Sequence, residues 1–367
     1  MEKLGLIELH HLKKRFGGDR KTAPVEALDD LSLQVPSGCL YGVLGPNGAG
    51  KTTAIRILCT LLEPDSGEVR VAGHDALADP RAVRRLLGYV AQDVAIDKIL
   101  TGRELLQLQA DLYHLRPSQT ASRLQEVISL LSMEEWIDRR CGTYSGGMRR
   151  RLDLAAGLIH RPAVLVLDEP TVGLDLESRN AIWQVLRQLR DSGTTIVLSS
   201  HYLEEVDALA DRLAIIEAGR VLAEGTPQHL KQSLGGDRVT LRVREFSDEE
   251  ECTRVRDLLE ACPGVRQVVA NRSQGHSLNL VVEDEGVTEA IRSRMRAADL
   301  PVFSLALSRP SLDDVYLQAT GRTLMDAELA VLGQRDAKEE RKKQMRPPPP
   351  PHIPRTPSRS CPSLPPS

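Results

Sequence analysis

The chain has 367 residues, room for two domains with one of them large. With 27% charged residues and a formal net charge of −3 it lacks the basic excess of a nucleic-acid-binding surface, so no nucleic-acid partner is expected. No apolar run approaches the roughly 18 residues of a membrane span, Met1 to Glu8 does not read as a secretory signal, and six cysteines without a C-x-x-C pair fit reduced thiols in the cytosol.

Residues 5–12 and 28–35 alternate apolar and polar side chains, the period of half-buried strands. Between them lies a basic, glycine-containing turn, Lys13-Lys14-Arg15-Phe16-Gly17-Gly18. Phe16 is one of three phenylalanines in the chain. Its ring either packs in the sheet or stacks on a nucleotide base. An apolar run, Leu40-Tyr41-Gly42-Val43-Leu44, leads into Gly45-Pro46-Asn47-Gly48-Ala49-Gly50-Lys51-Thr52-Thr53, and an apolar, helix-favouring stretch follows from Thr53 to Leu62. The pattern G-x-x-x-x-G-K-[ST] arises by chance in on the order of one chain of this length in a hundred. Strand, glycine-rich turn and helix together make it a phosphate site. The glycines let successive N–H groups turn inward, and the helix start adds partial positive charge. Lys51 would reach the β- and γ-phosphates and the Thr52 hydroxyl would ligate Mg²⁺. A lysine in a first helical turn sits at the wrong end of the dipole, a conflict that an anion removes.

Gly67 to Gly73 predicts a short strand, Arg81 to Leu87 a helix, and Gly88-Tyr89-Val90-Ala91-Gln92 a strand ending in glutamine. From Leu100 to about His160 the pattern is helical, with breaks at Pro117 and Gly142. Thr143-Tyr144-Ser145-Gly146-Gly147-Met148 opens the last helix of this insertion, Arg150 to His160, with Ser145 suited to an N-cap. Val164-Leu165-Val166-Leu167 is the continuous apolar run of a buried parallel strand. Asp168 and Glu169 follow at its carboxyl end, the edge where open α/β sheets bind ligands. Two adjacent carboxylates there are costly unless paired or bound to metal. Gly173-Leu174-Asp175 makes a turn and Glu177 to Arg190 a helix. Thr194 to Leu198 is another buried strand, which ends in Ser199-Ser200-His201 at the same edge. Asp211 to Glu224 gives two short strands around Ala218-Gly219-Arg220.

Residues 237–308 predict a second unit in the order β-α-β-β-α-β, that of a ferredoxin-like fold. Asp326 to Arg346 is charged and helix-prone, and Pro347 to Ser367, rich in Pro and Ser, predicts a disordered or polyproline tail.

With these residues in view, roughly residues 5–233 resemble an ABC-transporter ATPase subunit. The motifs stand in order: the phosphate loop Gly45–Thr53, Gln92, the signature Tyr144-Ser145-Gly146-Gly147-Met148, the strand ending Asp168-Glu169, the turn with Asp175, and His201. Two positions depart from the usual pattern, Tyr144 for Leu and Met148 for Gln, and Leu176 stands where Pro is common. Asp97 to Glu104 and Arg309-Pro310-Ser311-Leu312-Asp313-Asp314-Val315-Tyr316-Leu317 are similar to the daunorubicin-resistance branch of drug exporters.

The resemblance implies an α/β P-loop NTPase core with an N-terminal antiparallel β subdomain and a helical insertion, plus a small α+β ferredoxin-like C-terminal domain. The implied division is an ATP-binding domain over 1–233 with its helical subdomain at about 98–160, the small domain over 234–325, and the tail over 326–367. It further implies two copies packed head to tail. ATP and Mg²⁺ would lie between Phe16, Gly45–Thr53 of one copy and Ser145, Gly146 and Gly147 of the other. Thr52, Gln92 and Asp168 would hold the metal. Glu169 would activate water, with Lys51, Gln92 and His201 on the γ-phosphate. A chain with no span of its own would power an integral membrane permease subunit from the cytoplasmic face of the cell membrane, exporting a drug-like or other substrate. The alternative is a soluble ABC ATPase with a regulatory, non-transport role.

Overall fold

The structure is a computed structural model that describes residues 5–17, 24–93, 96–244, 248–271, 277–283 and 286–330. β1 (Ile7–Phe16) and β2 (Val25–Val35) pair antiparallel, Ile7 with Val35 and Phe16 with Val25. Both run longer than the alternating pattern predicts. The pairing shifts register between Leu9 and Arg15, and His11 and Asp30 take left-handed backbone angles. A bulge of this kind resets which face a side chain points to, so alternation stops while the strand goes on.

β3 (Leu40–Leu44) leaves this sheet and turns into α1 (Lys51–Leu58), two residues earlier than the apolar pattern places it. The chain returns as β4 (Ser66–Val71) and β5 (His74–Asp75), giving the antiparallel order β2-β1-β4-β5. Next come α2 (Pro80–Leu86) and β6 (Leu87–Val90), then the predicted helical insertion of α3 (Gly102–Leu112), α4 (Pro117–Leu130) and α5 (Gly146–Leu158). Pro117 is the first residue of α4, where its missing N–H is harmless. Thr101 and Glu104 close a capping box that starts α3.

β7 (Val164–Asp168), α6 (Leu176–Asp191), β8 (Thr195–Ser200), α7 (Leu203–Leu209), β9 (Arg212–Glu217), β10 (Arg220–Gly225) and α8 (Pro227–Ser233) complete the central sheet, order β10-β9-β3-β8-β7-β6. All neighbours in it are parallel except the β9–β10 hairpin. Its inner strands β3, β7 and β8 are buried on both faces. Leu40, Leu44, Leu165, Leu167, Ile196 and Leu198 share a core with the helical insertion, α6 and α7, while Tyr41, Val43, Val164, Val166 and Val197 share one with α1 and the first sheet. Two cores therefore grip one sheet, as parallel strands require.

β11 (Asp237–Arg242), α9 (Glu249–Glu260), β12 (Val265–Asn271), β13 (Ser277–Val282), α10 (Val287–Ala297) and β14 (Ser304–Ser308) follow in the predicted β-α-β-β-α-β order. Their antiparallel sheet runs β12-β13-β11-β14 and has a core of its own around Val239, Leu241, Val255, Leu280, Ile291 and Met295. α11 (Leu312–Thr320) and residues 324–327 return to the first core: Leu312, Val315, Tyr316, Leu324 and Ala327 pack with Leu230 and Leu234. Most of the expected charged helix and the whole Pro-rich tail lie outside the described residues. Among those described, no helix is long and apolar enough to cross a membrane.

Candidate active site

The carboxyl ends of β3, β7 and β8 lie level, because Leu44 pairs with Ser200 and Asp168 with Ser199. The glycine loop, Glu169 and His201 therefore leave the sheet at one edge, as the strand patterns require. The loop turns into α1 with Gly50 at the N-cap, φ 107°, and no side chain bonds the first free amides. A Cβ on Gly50 would stand 2.5 Å from the Ala27 carbonyl oxygen, and one on Gly45 2.2 Å from that of Ile216. Only glycine fits either place, and Gly50 needs its freedom at positive φ as well. The uncapped amides and the helix dipole are open to an anion.

Lys51 is 4% exposed. Its Nζ donates to the Gly45 carbonyl at 2.7 Å and the Pro46 carbonyl at 3.2 Å, and lies 3.4 Å from Glu169 Oε1. Burial pulls its pKa down, against the pull of the Glu169 charge. This ammonium is held at the phosphate loop with one close carboxylate.

Glu169 collects three of the predicted residues, Lys51, His201 and Gln92. Oε1 faces Lys51 and also His201, whose Nδ1 is 3.2 Å away, and Oε2 accepts from Gln92 Nε2 at 3.1 Å. Burial alone would raise the Glu169 pKa. The His201 ring and the Lys51 charge outweigh it and hold the carboxyl below its usual value, hence ionised. The backbone of Glu169 is in the left-handed region, φ 48°, which an ordinary residue keeps only when its surroundings fix it. Its N–H donates to Ser199 Oγ at 3.1 Å and to the Ser199 carbonyl at 3.2 Å. Ser199 Oγ in turn donates to Asp168 Oδ1 at 2.6 Å.

The Thr52 hydroxyl donates to Asp168 Oδ1 at 3.3 Å, and Asp168 Oδ2 is buried with no hydrogen-bond partner. Among the described residues no group of three or more His, Cys, Asp or Glu could hold a metal alone. Two hard oxygens, with substrate phosphates and water for the rest, are the donor set Mg²⁺ takes. Thr52 and Asp168 fit that ion. Gln92, the third residue expected at the metal, donates its amide N–H to Glu169 Oε2 at 3.1 Å.

Phe16 ends β1 opposite Val25 and is 42% exposed, with Lys14 Nζ 5.9 Å from the ring centroid. β2 passes the glycine loop at Ala27, so the ring stands at the same end of the site. Ser145 caps α5, its Oγ accepting from the Met148 N–H at 3.2 Å, and the helix starts at Gly146, ahead of the predicted Arg150. Ser145 and Gly146 are exposed. Among the described residues no hydrogen bond or ion pair joins Ser145–Gly147 to Gly45–Thr53. Tyr144 is buried edge-on to Trp136, and its hydroxyl donates to the Trp136 carbonyl at 3.0 Å. That is a packing role, which explains why the departure from Leu leaves Ser-Gly-Gly intact. Asp175 caps α6, its Oδ1 accepting from the Ser178 N–H at 2.8 Å.

Four residues of this region have no motif to announce them. Ser199 is the clamp just described. Glu205, 1% exposed, accepts from Thr171 Oγ1 at 2.7 Å and Trp183 Nε1 at 3.0 Å. Glu328 comes within electrostatic reach of His201, Lys51 and Glu169. Burial raises its pKa, and one of its oxygens is buried with no hydrogen-bond partner. Arg150 is buried on α5 and donates to the carbonyl that ends β7 and to carbonyls of the segments after β7 and after β6. The sequence does carry a signal for Arg150: it falls on the stripe Gly147, Arg150, Leu154, Leu158, where the helical period calls for apolar residues.

A family model described as ABC transporter matches residues 28–172, and one described as ATP-binding protein DrrA1-3-like, C-terminal domain, matches residues 225–320. The chain is 42% identical over 320 residues to the daunorubicin/doxorubicin resistance ATP-binding protein DrrA of Streptomyces peucetius, covering 87% of this chain and 94% of that one. It is 32% identical to the linearmycin resistance ATP-binding protein LnrL of Bacillus subtilis (strain 168), covering 88% of this chain and 100% of that one. Among solved structures, an ATP-binding subunit of an ABC transporter matches with TM-score 0.55 at 27% identity, over 62% of this chain and 92% of that one. A dimeric ATP-binding cassette in a post-hydrolysis state, bound to ADP and Pi, shares the fold with TM-score 0.55 at 23% identity, over 60% of this chain and 98% of that one.

Proposed function

The chain belongs to the ABC transporter family as an ATP-hydrolysing subunit of the drug-resistance and export kind, and from that premise we propose how its residues divide the work. The observation that carries the reading is the convergence of Lys51, His201 and Gln92 on the ionised Glu169.

Phosphoryl transfer to water needs an in-line nucleophile and neutralised charge more than covalent help. Glu169 takes the proton of the attacking water and orients it. His201 and Gln92 hold that carboxylate and read the γ-phosphate. Lys51 turns from the loop carbonyls to the β- and γ-phosphates, which the α1 amides also receive. Thr52 and Asp168 hold Mg²⁺, which when bound supplies positive charge on the phosphate oxygens. Phe16 stacks on the adenine. Ser145 and Gly146, exposed at a ready-made helix start, and Gly147 behind them close over the nucleotide of a second copy packed head to tail.

The same reading places the chain at the cytoplasmic face of a membrane, driving a separate permease subunit. Support comes from large apolar side chains left exposed on the insertion that follows Gln92: Ile99, 76% exposed, and Leu108 and Leu112 one turn apart on α3, 47% and 63% exposed. The names of the daunorubicin/doxorubicin and linearmycin resistance relatives support a drug-like cargo. The division of labour along the chain is catalysis in residues 1–233, with α11 and residues 324–327 packed into that core, and a separate task for the sheet of residues 237–308.

Glu169→Gln tests the reading. Turnover of ATP falls by about 10²–10⁴, the size of a general-base contribution, while ATP still binds. Turnover within a few-fold of the parent would sink the assignment, and copurification of a polytopic membrane protein checks the permease.

A further inference from the structure

Arg150 takes no part in the roles above, yet it is 4% exposed beneath the site. Its guanidinium makes three bonds to backbone carbonyls. Nε donates to Pro170 at 2.6 Å, Nη2 to Asp168 at 3.2 Å, and Nη1 to Ala91. Asp168 and Pro170 are the residues on either side of Glu169, and Ala91 is the one before Gln92. One planar fork therefore holds the backbone around both side chains that meet at 3.1 Å in the site.

The environment argues that this arrangement is not for packing. Asp153 Oδ2, 3.3 Å from Nη1, is the carboxylate paired with Arg150. Burial dominates both partners, drawing the Arg150 pKa down and pushing that of Asp153 up to about 6. An apolar side chain would fill the same volume without desolvating a charge. Glu169, moreover, holds a left-handed backbone angle, which persists only where its neighbours fix it, and Arg150 grips the carbonyls on both sides.

We propose that Arg150 is a positioning residue: from the helix that begins at Ser145 it sets the backbone around Glu169 and Gln92, and so the geometry of the hydrolytic water. The inference rests on Glu169 being the general base. It also ties the two halves of the site together mechanically, because α5 carries Ser-Gly-Gly at one end and this fork a turn later.

The test uses the full chain with Arg150→Gln, Arg150→Lys, Glu169→Gln and the double variant Arg150→Gln/Glu169→Gln. ATP turnover and equilibrium ATP binding are measured on each. Arg150→Gln lowers kcat by about 10–100-fold, the effect of a misplacement near 1 Å, with the ATP Kd within about twofold. Arg150→Lys recovers part of that loss, as a point donor that meets fewer of the three carbonyls. In the double variant the Arg150 change adds little to the loss from Glu169→Gln, because both act through one group. A merely structural role predicts otherwise: ATP binding and turnover fall together, and the double variant loses both factors in full. That result, or an unchanged kcat in Arg150→Gln, overturns the proposal. If Glu169→Gln also leaves turnover intact, the general-base reading fails first; if only Arg150→Gln does, this inference fails alone.

Discussion

Two glycine-rich helix starts in this molecule are built from similar residues and end up as opposites. α1 begins at Gly50-Lys51, deep at the sheet edge, with no side chain on its first amides and a buried lysine folded over the loop. α5 begins at Ser145-Gly146-Gly147, its first two residues exposed, with the Ser145 hydroxyl bonded to its own helix. The first is complete on three sides, walled by Ala27, Ile216 and Glu169. The second is open at Gly146, where a Cβ would meet nothing within 4 Å, and is backed only at Gly147, where one would stand 2.4 Å from Ser178 Oγ. A helix N-terminus is an anion site only when the surrounding chain leaves its amides free and encloses them. One start satisfies this within the chain, and the other waits for a second molecule under the reading proposed above.

The largest expected effect that would break the contrast is Lys51→Ala. Truncating a buried charge that faces phosphate lowers ATP affinity by about 10²-fold or more, and an unchanged equilibrium Kd would remove α1 from the nucleotide site. Gly50→Ala comes next. It forces a side chain into φ 107° and 2.5 Å from the Ala27 oxygen, so stability falls by roughly 2–4 kcal/mol in denaturant titration.

Gly146→Ala is the matching change at the open start, and its signature is reversed. Within the chain the new methyl meets only space, so stability stays within about 0.5 kcal/mol of the parent. If a second copy closes over this face, turnover still falls about tenfold or more. A Gly146→Ala protein with full turnover would leave the head-to-tail arrangement without support.

The smallest effect sharpens the picture of the inner face of α5. In the folded chain Asp153 binds its proton up to about pH 6, above the usual 3.8, because burial outweighs the Arg150 charge. The folded state therefore keeps a proton that the unfolded chain releases between those values. Its contribution to stability is greatest below about pH 4, falls as pH rises through about 6, and is flat above. Asp153→Asn removes this slope, on the order of 1 kcal/mol after screening. Chemical denaturation at pH 5 and pH 8 reads the difference.

Much of the site was legible because the motifs are chemically compulsory. Gly45–Thr53, Asp168-Glu169 and His201 each end an apolar run with the period of a buried strand, and strand ends meet where ligands bind. The apolar runs also announced the central sheet. Ser199 was not legible: one of two serines at the end of β8, it bonds both Asp168 and the Glu169 amide only because those strands pair in that register. Glu205 and Glu328 are acidic residues in helical stretches, and nothing local marks them as buried or near the site. The bulge in β1 hid the far end of the first hairpin, Lys13–Phe16 and Val25–Ala27, since alternation is the signal a half-buried strand leaves in sequence.

The sequence by itself determined the chemistry: which residues could hold phosphate, metal and water, and the order in which strands and helices present them. That information is local, carried by spacing and by the backbone freedom of particular residues. Only the tertiary structure decided which oxygens of Glu169 face Lys51, His201 and Gln92, that Ser199 and Arg150 fix the backbone around it, and that α11 returns to the first core. Those facts depend on strand register and on carbonyls from segments 18 to 59 positions away along the chain, and no local period encodes a contact across that distance.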